Sequence, residues 1–369
     1  GHVLLHSVCT TPGVLPRRRV QHHAFERRLF GNVEWLLGAA YPLHNHSIHC
    51  ILACALKGLD RDDGGVQASC NGIAQRLPLF LPSSCNLTVL ALEVKVRQAV
   101  SFIPAVEVLP HILPTEDIEI SELARKLFEK DGIDFITKAK LTSFKKKKET
   151  LTAVINIDEK AHELDFDKVI MAVGIQGNHE NLGLENTMVK VEKGHIVTDQ
   201  WNATAETGVY AIGDIVGPPW LAHKASHEGI ICVERIAGKK KTHPLDKNKI
   251  PGCTYSHPQI ASVGLTEAQA IEKGFDIKVG RFPFVGNGKA IALGEPEGLI
   301  KTIFDASNGE LLGAHMIGTE VTELIQGYSI GMTLETTEAE IIETVFPHPT
   351  LSEMMHESVL NAYERAIHY

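Results

Sequence analysis

No apolar run in the sequence approaches the ~20 residues that span a bilayer; the best, Ile48 to Leu56, is interrupted by one histidine and two cysteines. A secretory leader is not expected either, because Arg17–Arg19 follow the apolar stretch instead of preceding it. Cysteine is scarce and irregular. There are seven, an odd number without repeated spacing, which points to a reducing compartment and away from a disulfide framework. Excess positive charge is also lacking: the formal net charge is −9, so bulk electrostatics would not hold a nucleic acid or an acidic membrane. These absences predict a soluble intracellular protein with neither kind of partner.

What is present is ordinary globular composition. The 369 residues, 44% hydrophobic and 22% charged, suffice for two or three domains and a core that needs no cross-links. The charge is divided unevenly. Residues 1–100 hold 10 Lys and Arg against 6 Asp and Glu, and the rest hold 26 against 39, so the two parts carry +4 and −13. The first part also holds five of the seven cysteines, and shows neither a helical nor a strand period. Gln75–Pro82 and Leu87–Val96 could be strands, but no turn residues organise them into units. His44, His46, His49, Cys50 and Cys54 cluster, yet a structural zinc site needs two ligand pairs at defined spacing, so no metal is expected. Apolar residues without a period cannot form one buried face, which predicts loose packing here.

From about Ala105 onward the patterns become regular. Ile120, Leu123, Ala124, Leu127 and Phe128 recur at helical spacing, with Gly132 as the C-cap. Ile133–Ile136, Leu151–Ile157, Val169–Gly174 and Val209–Gly213 read as strands, with Lys145–Lys148 a solvated hairpin tip, and Ala222–Ala237 as an amphipathic helix. After Pro251 the pattern changes to an antiparallel sheet with helices. Thr266–Gln269 has the capping-box form, and Leu299–Phe304 and Leu311–Ile317 flank Ser307-Asn308-Gly309, a strong hairpin signal. Val321–Met332, Ala339–Val345 and Leu351–His368 complete the chain as helices.

Three local features could carry chemistry. In Phe346-Pro347-His348-Pro349-Thr350-Leu351-Ser352-Glu353 the imidazole is fixed by a proline on each side, as general acid–base work needs. Glu353 could set its tautomer, or could simply close a capping box with Thr350. The strand ending in Gly213-Asp214 could present a carboxylate to the hydroxyls of a dinucleotide, or Asp214 could only turn the chain. Glu107 ends an apolar step where a dinucleotide fold places its ribose-binding acid.

Together with Val106-Glu107-Val108-Leu109-Pro110, Ala172-Val173-Gly174, Asn181-Leu182-Gly183-Leu184-Glu185, Leu221-Ala222-His223-Lys224-Ala225 and Tyr255-Ser256-His257-Pro258, these features resemble the dihydrolipoamide dehydrogenases, flavoproteins of the pyridine nucleotide–disulfide reductase family. The resemblance covers roughly residues 104–369. It implies an α/β fold joined to α+β: an incomplete pair of dinucleotide-binding domains and a C-terminal dimerisation domain of antiparallel sheet and helices. The implied division is an unrecognised segment at 1–103, disordered or aberrant, the remainder of an NAD-binding domain at 104–176, the C-terminal part of an FAD-binding domain at 177–248, and the interface domain at 249–369. It implies FAD and NAD as cofactors, with Asp214, Trp220, Leu221, Ala222 and His223 along FAD and Glu107, Leu141 and Gly174 at NAD. His348 is the implied base for a dihydrolipoyl thiol, oriented by Glu353 and serving the partner subunit of a homodimer. Lipoyl-bearing subunits of 2-oxo acid dehydrogenase complexes are the implied partners, cell redox homeostasis the implied role, and the cytoplasm the location, or the mitochondrial matrix in a eukaryote.

The sequence departs from that pattern in three ways. It contains no G-x-G-x-x-G, the loop that lets backbone approach a pyrophosphate. Its closest cysteine pair, Cys50 and Cys54, has three residues between instead of the four of the redox C-x4-C. Residues 1–100 also resemble nothing that precedes the NAD strand in the family. The expectation is a truncated or wrongly assembled gene product, either a dehydrogenase by descent or an inactive remnant keeping only the dimerisation domain.

Overall fold

A computed structural model describes residues 3–7, 88–92, 103–147 and 150–369, with side chains from residue 104 onward. The His/Cys cluster at 44–54, the candidate strand at 75–82 and most of the segment expected to pack loosely lie outside these residues. Two short strands of the first hundred residues are described: Val3–Ser7 runs parallel to Val209–Gly213, and Thr88–Leu92 lies between Ile103–Glu107 and Lys168–Met171, antiparallel to both. No helix among the described residues is long and apolar enough to cross a membrane.

The chain divides into two compact units, one of residues 1–45 and 175–247, the other of residues 46–174 and 248–369. In the first, strand Val209–Gly213 feeds through a tight turn into helix Ala222–Ile236. In the second, a five-stranded antiparallel sheet forms the centre, in the order Gly252–Thr254, Gln259–Gly264, Leu311–Gly318, Leu299–Asp305, Ile277–Pro283. The Asn308-Gly309 hairpin joins two of its three inner strands, Leu299–Asp305 and Leu311–Gly318, with Gly309 at φ +78°, a conformation that costs glycine little. Helices Val321–Thr333 and Glu353–Ala362 supply Val321, Ile325, Tyr328, Met354 and Val359 to the main core over this sheet. The second of these helices comes so close that a Cβ on Gly280 would collide with the Ser358 carbonyl oxygen.

Helix Ile118–Lys130 joins this same unit, packing Ile120 and Ala124 with Ile260 and Ile317 of the sheet. A three-stranded meander, Ala139–Lys146, Leu151–Ile157 and Lys160–Phe166, builds a separate small core around Ile155 and Phe166. Of the lysines expected at a hairpin tip, Lys145 is still within the strand, Lys148 lies outside the described residues, and Lys145 and Lys147 pair with Glu163 and Asp165 in solvent. The last helix is shorter than its apolar pattern suggests, ending at Ala362 instead of His368. Glu364 takes φ +56°, and the buried Glu357 accepts Ile367 N–H at 3.0 Å and pairs with His368 Nδ1 at 2.7 Å, which folds the tail back.

The sheet carries a buried cation. Lys301 is 1% exposed and pairs with Asp117 at 2.7 Å, Glu267 at 2.7 Å and Glu119 at 3.1 Å. Burial raises the Asp117 pKa, but Lys301 outweighs it and holds the carboxyl below its usual value. Opposite Lys301, His315 is buried with Nε2 2.9 Å from the Leu265 carbonyl, and burial pushes its pKa down.

Lys301→Met should cost about 3–5 kcal/mol, because it leaves Asp117 buried without its cation. Arg281→Met, which removes half-exposed pairs with Glu119 and Glu267, should cost under about 1 kcal/mol. Urea unfolding followed by circular dichroism separates the two. Because His315 binds its proton less readily folded than unfolded, stability should fall as pH drops below about 6.5. His315→Gln should flatten that slope by up to one proton.

Candidate functional site

His348 stands on a short loop between helices Glu338–Glu343 and Glu353–Ala362. Its side chain is 80% exposed, and Nδ1 lies 2.9 Å from Glu353 Oε1. The other carboxylate oxygen accepts Thr350 N–H at 2.8 Å, so Glu353 orients the imidazole and satisfies the helix start at once. The two readings of the sequence are not alternatives. The capping box itself is only half made: Thr350 Oγ1 turns away and donates to the Pro347 carbonyl at 2.6 Å, and the helix takes Ser352 as its N-cap with no side-chain bond. Burial raises the Glu353 pKa, but Thr350 N–H and His348 together bring it below its usual value. An ionised carboxylate can only accept, so Nδ1 carries the proton in this contact, and the neutral form of the ring then has its lone pair on Nε2.

Sequence patterns did not mark His356, which braces the same loop. Its ring stacks on Phe346 at 5.2 Å, and Nε2 donates to the Ile342 carbonyl at 3.0 Å. The one available signal was its place one turn after Glu353 on the helix.

In the first unit, Gly213 takes φ +80° and Asp214 opens the turn that follows the strand. Leu221 caps helix Ala222–Ile236, placing Ala222 and His223 in its exposed first turn. Trp220 lies just before, its ring 5.9 Å from that of His195. Trp220 Nε1 and His195 Nε2 are both buried without a hydrogen-bond partner among the described residues. The turn is clamped by two charged residues to which the sequence patterns assign no role, although Lys224 lies within one of the motifs. Lys224, 1% exposed, donates to the carbonyls of Gly213 at 3.1 Å and Gly217 at 3.0 Å and pairs with Glu228 at 3.0 Å. Glu228 in turn accepts Gly213 N–H at 2.7 Å. A Lys–Glu pair four apart normally reads as helix-surface decoration; burial makes it a loop clamp.

In the second unit, Glu107 ends its strand with a buried carboxylate that accepts Leu109 N–H at 2.9 Å. Leu141 packs with Val106 in the meander core. Gly174 takes φ +99°, with open space where a side chain would begin. The fold thus brings Leu141 beside the strand of Glu107, and His348 beside Glu353. No three His, Cys, Asp or Glu residues converge on a metal site among the described residues.

Residues 88–229 match the family described as pyridine nucleotide-disulphide oxidoreductase, and residues 250–359 match the dimerisation domain of the same family. The chain belongs to the pyridine nucleotide-disulphide oxidoreductases. The match begins at Thr88, upstream of the point near 104 where the motifs first become readable. The dihydrolipoyl dehydrogenases of Rhizobium etli and Zymomonas mobilis are 57% identical over 266 residues and 53% identical over 265. Those stretches are 72% of this chain but 55% and 57% of the relatives, so the chain spans little more than half their length. Among solved structures, LpdA of Mycobacterium tuberculosis superposes with a TM-score of 0.64 at 22% identity, covering 69% of this chain and 55% of LpdA. The flavoprotein disulfide reductase RclA of Escherichia coli gives 0.62 at 22% identity, covering 69% and 58%. Both share the fold.

Lys224→Met should destabilise the first unit by about 3–5 kcal/mol, since Glu228 would remain buried without its cationic partner. Adding Glu228→Leu should recover part of that loss. A double-mutant cycle on tryptophan-monitored unfolding, with Trp201 and Trp220 in this unit, measures the coupling.

Proposed function

We propose that this chain is part of a dihydrolipoyl dehydrogenase-type oxidoreductase in which His348 acts as the base for a dihydrolipoyl thiol and Glu353 orients it. The observation that carries this reading is the 2.9 Å contact from His348 Nδ1 to Glu353 Oε1, which leaves Nε2 facing outward on an exposed ring. Disulfide exchange proceeds through a thiolate, and a neutral imidazole with a free Nε2 removes the thiol proton. The ionised Glu353 stabilises the imidazolium that results. The dimerisation-domain match supports a homodimer; on the proposed reading His348 serves the partner's site, lipoyl-bearing subunits of 2-oxo acid dehydrogenase complexes carry the substrate, and the cytoplasm is the location.

The family's cofactors are FAD and NAD; FAD, when bound, accepts the electron pair of the dithiol and delivers it to NAD. The residues of this chain fit them on one side. The unpartnered Trp220 Nε1 and His195 Nε2 and the clamped turn at Asp214 suit the ribityl and ring portion of FAD, with Leu221, Ala222 and His223 alongside. Glu107 and the open backbone at Gly174, with Leu141 behind, suit the adenosine ribose of NAD. The sequence has no glycine fingerprint for either pyrophosphate and no C-x4-C. The chemistry assigned to this chain is therefore proton transfer by His348 in a dimer.

The test pairs this chain with a complete family member whose equivalent histidine is alanine. Mixed dimers should regain lipoamide-dependent turnover at one of their two sites. His348→Ala in this chain should abolish the rescue, and Glu353→Gln should reduce it about 10²- to 10³-fold if orientation accounts for most of the base's contribution. Mixed dimers that form but remain inactive overturn the assignment of the base.

A further inference from the structure

The loop that carries His348 is tied to its unit by a side chain from a distant part of the sequence. Asn287 is 6% exposed and uses both ends of its amide. Its Oδ1 accepts Ala290 N–H at 2.9 Å, capping the short helix Gly288–Leu293. Its Nδ2 donates to the Thr350 carbonyl at 3.1 Å, 63 residues further along the chain. Thr350 is also the residue whose N–H is held by Glu353 Oε2 at 2.8 Å. Its backbone is therefore gripped on the carbonyl side from the sheet domain and on the N–H side from the carboxylate that orients His348.

We propose that Asn287 is a positioning residue for His348. By fixing the Thr350 carbonyl it holds the Thr350 N–H on Glu353 Oε2, which leaves Oε1 aimed at His348 Nδ1 and so decides which ring nitrogen faces outward. This rests on the reading of His348 as the base. The geometry gives the tether leverage because Glu353 is the one hydrogen-bond partner of the His348 ring among the described residues. An 80% exposed imidazole has no packing to hold it once that carboxylate turns. Losing the Asn287 amide would release the Thr350–Leu351 peptide, and rotation about the Thr350 backbone would carry the preceding peptide's N–H, and the carboxylate that follows it, away from Nδ1.

Capping and tethering can be separated chemically. Serine and aspartate cap helices about as well as asparagine, so Asn287→Ser and Asn287→Asp keep an acceptor for Ala290 N–H. An ionised aspartate has no donor for the Thr350 carbonyl, and the serine hydroxyl stands one bond closer to its own backbone than the Asn287 amide nitrogen that donates at 3.1 Å. The experiment uses the full chain with ¹⁵N-labelled histidine at about pH 8, where imidazoles are neutral, with His348 assigned by comparison with His348→Gln. The unsubstituted protein should show His348 protonated on Nδ1. In Asn287→Ser and Asn287→Asp the ring should shift toward the Nε2–H tautomer that a free imidazole prefers, while hydrogen exchange at the Ala290 amide stays as protected as before. In mixed dimers, Asn287→Ser should lower kcat about tenfold with KM unchanged, as expected for a misplaced base and not for lost binding. If His348 keeps its Nδ1 proton in both variants, the tether is refuted. If the unsubstituted protein already shows the Nε2–H form, the orientation by Glu353 fails first, whatever Asn287 does.

Discussion

The larger unit depends on one carboxylate. Asp117 Oδ1 accepts Glu119 N–H at the start of helix Ile118–Lys130 and the ammonium of Lys301, while Oδ2 accepts Glu267 N–H at the start of helix Glu267–Glu272. It caps two helices and neutralises the cation buried in the sheet. Each role alone is modest, since a cap is worth about 1 kcal/mol. Joined on one buried side chain they cannot be lost separately. This is how helix Ile118–Lys130 becomes part of the unit that holds the five-stranded sheet.

That rigid sheet is what the His348 loop leans on. The loop has no regular structure of its own, and its imidazole is in solvent, so its geometry comes from neighbours. Glu353 holds it from the helix that follows, His356 stacks against Phe346, and Asn287 reaches in from the end of another helix. In the proposed role of base, His348 needs its proton-accepting atom aimed and its other nitrogen fixed, and a loop pinned from several elements meets that need without burying the ring.

The first unit uses a different device for a similar purpose. A turn with two glycines at positive φ, Gly213 and Gly217, is flexible in the unfolded chain and would be so in the folded one. Lys224 and Glu228 close around it with bonds to backbone atoms on both sides of Asp214. The desolvation cost of burying the pair is offset by these backbone contacts, and the gain is a single conformation at the strand tip.

The sequence by itself determined most elements after residue 104, because their signals are local. The period of Ile120 to Phe128, the capping box at Thr266 and the Asn308-Gly309 turn each act within a few residues, and the structure shows all three. It also determined the His348–Glu353 spacing. It did not determine whether Glu353 caps or orients, since both are within its reach, and only the folded loop shows that it does both. The early end of the last helix was invisible for a related reason: Glu357, which draws the tail back, looks like any helix glutamate until it is buried. Lys224, Lys301, Asn287 and Asp117 were likewise unreadable, because their partners are set by packing between elements as much as 184 residues apart. Local propensity fixes where an element begins and ends; which charge is buried and what it must be paired with is decided only when the elements meet.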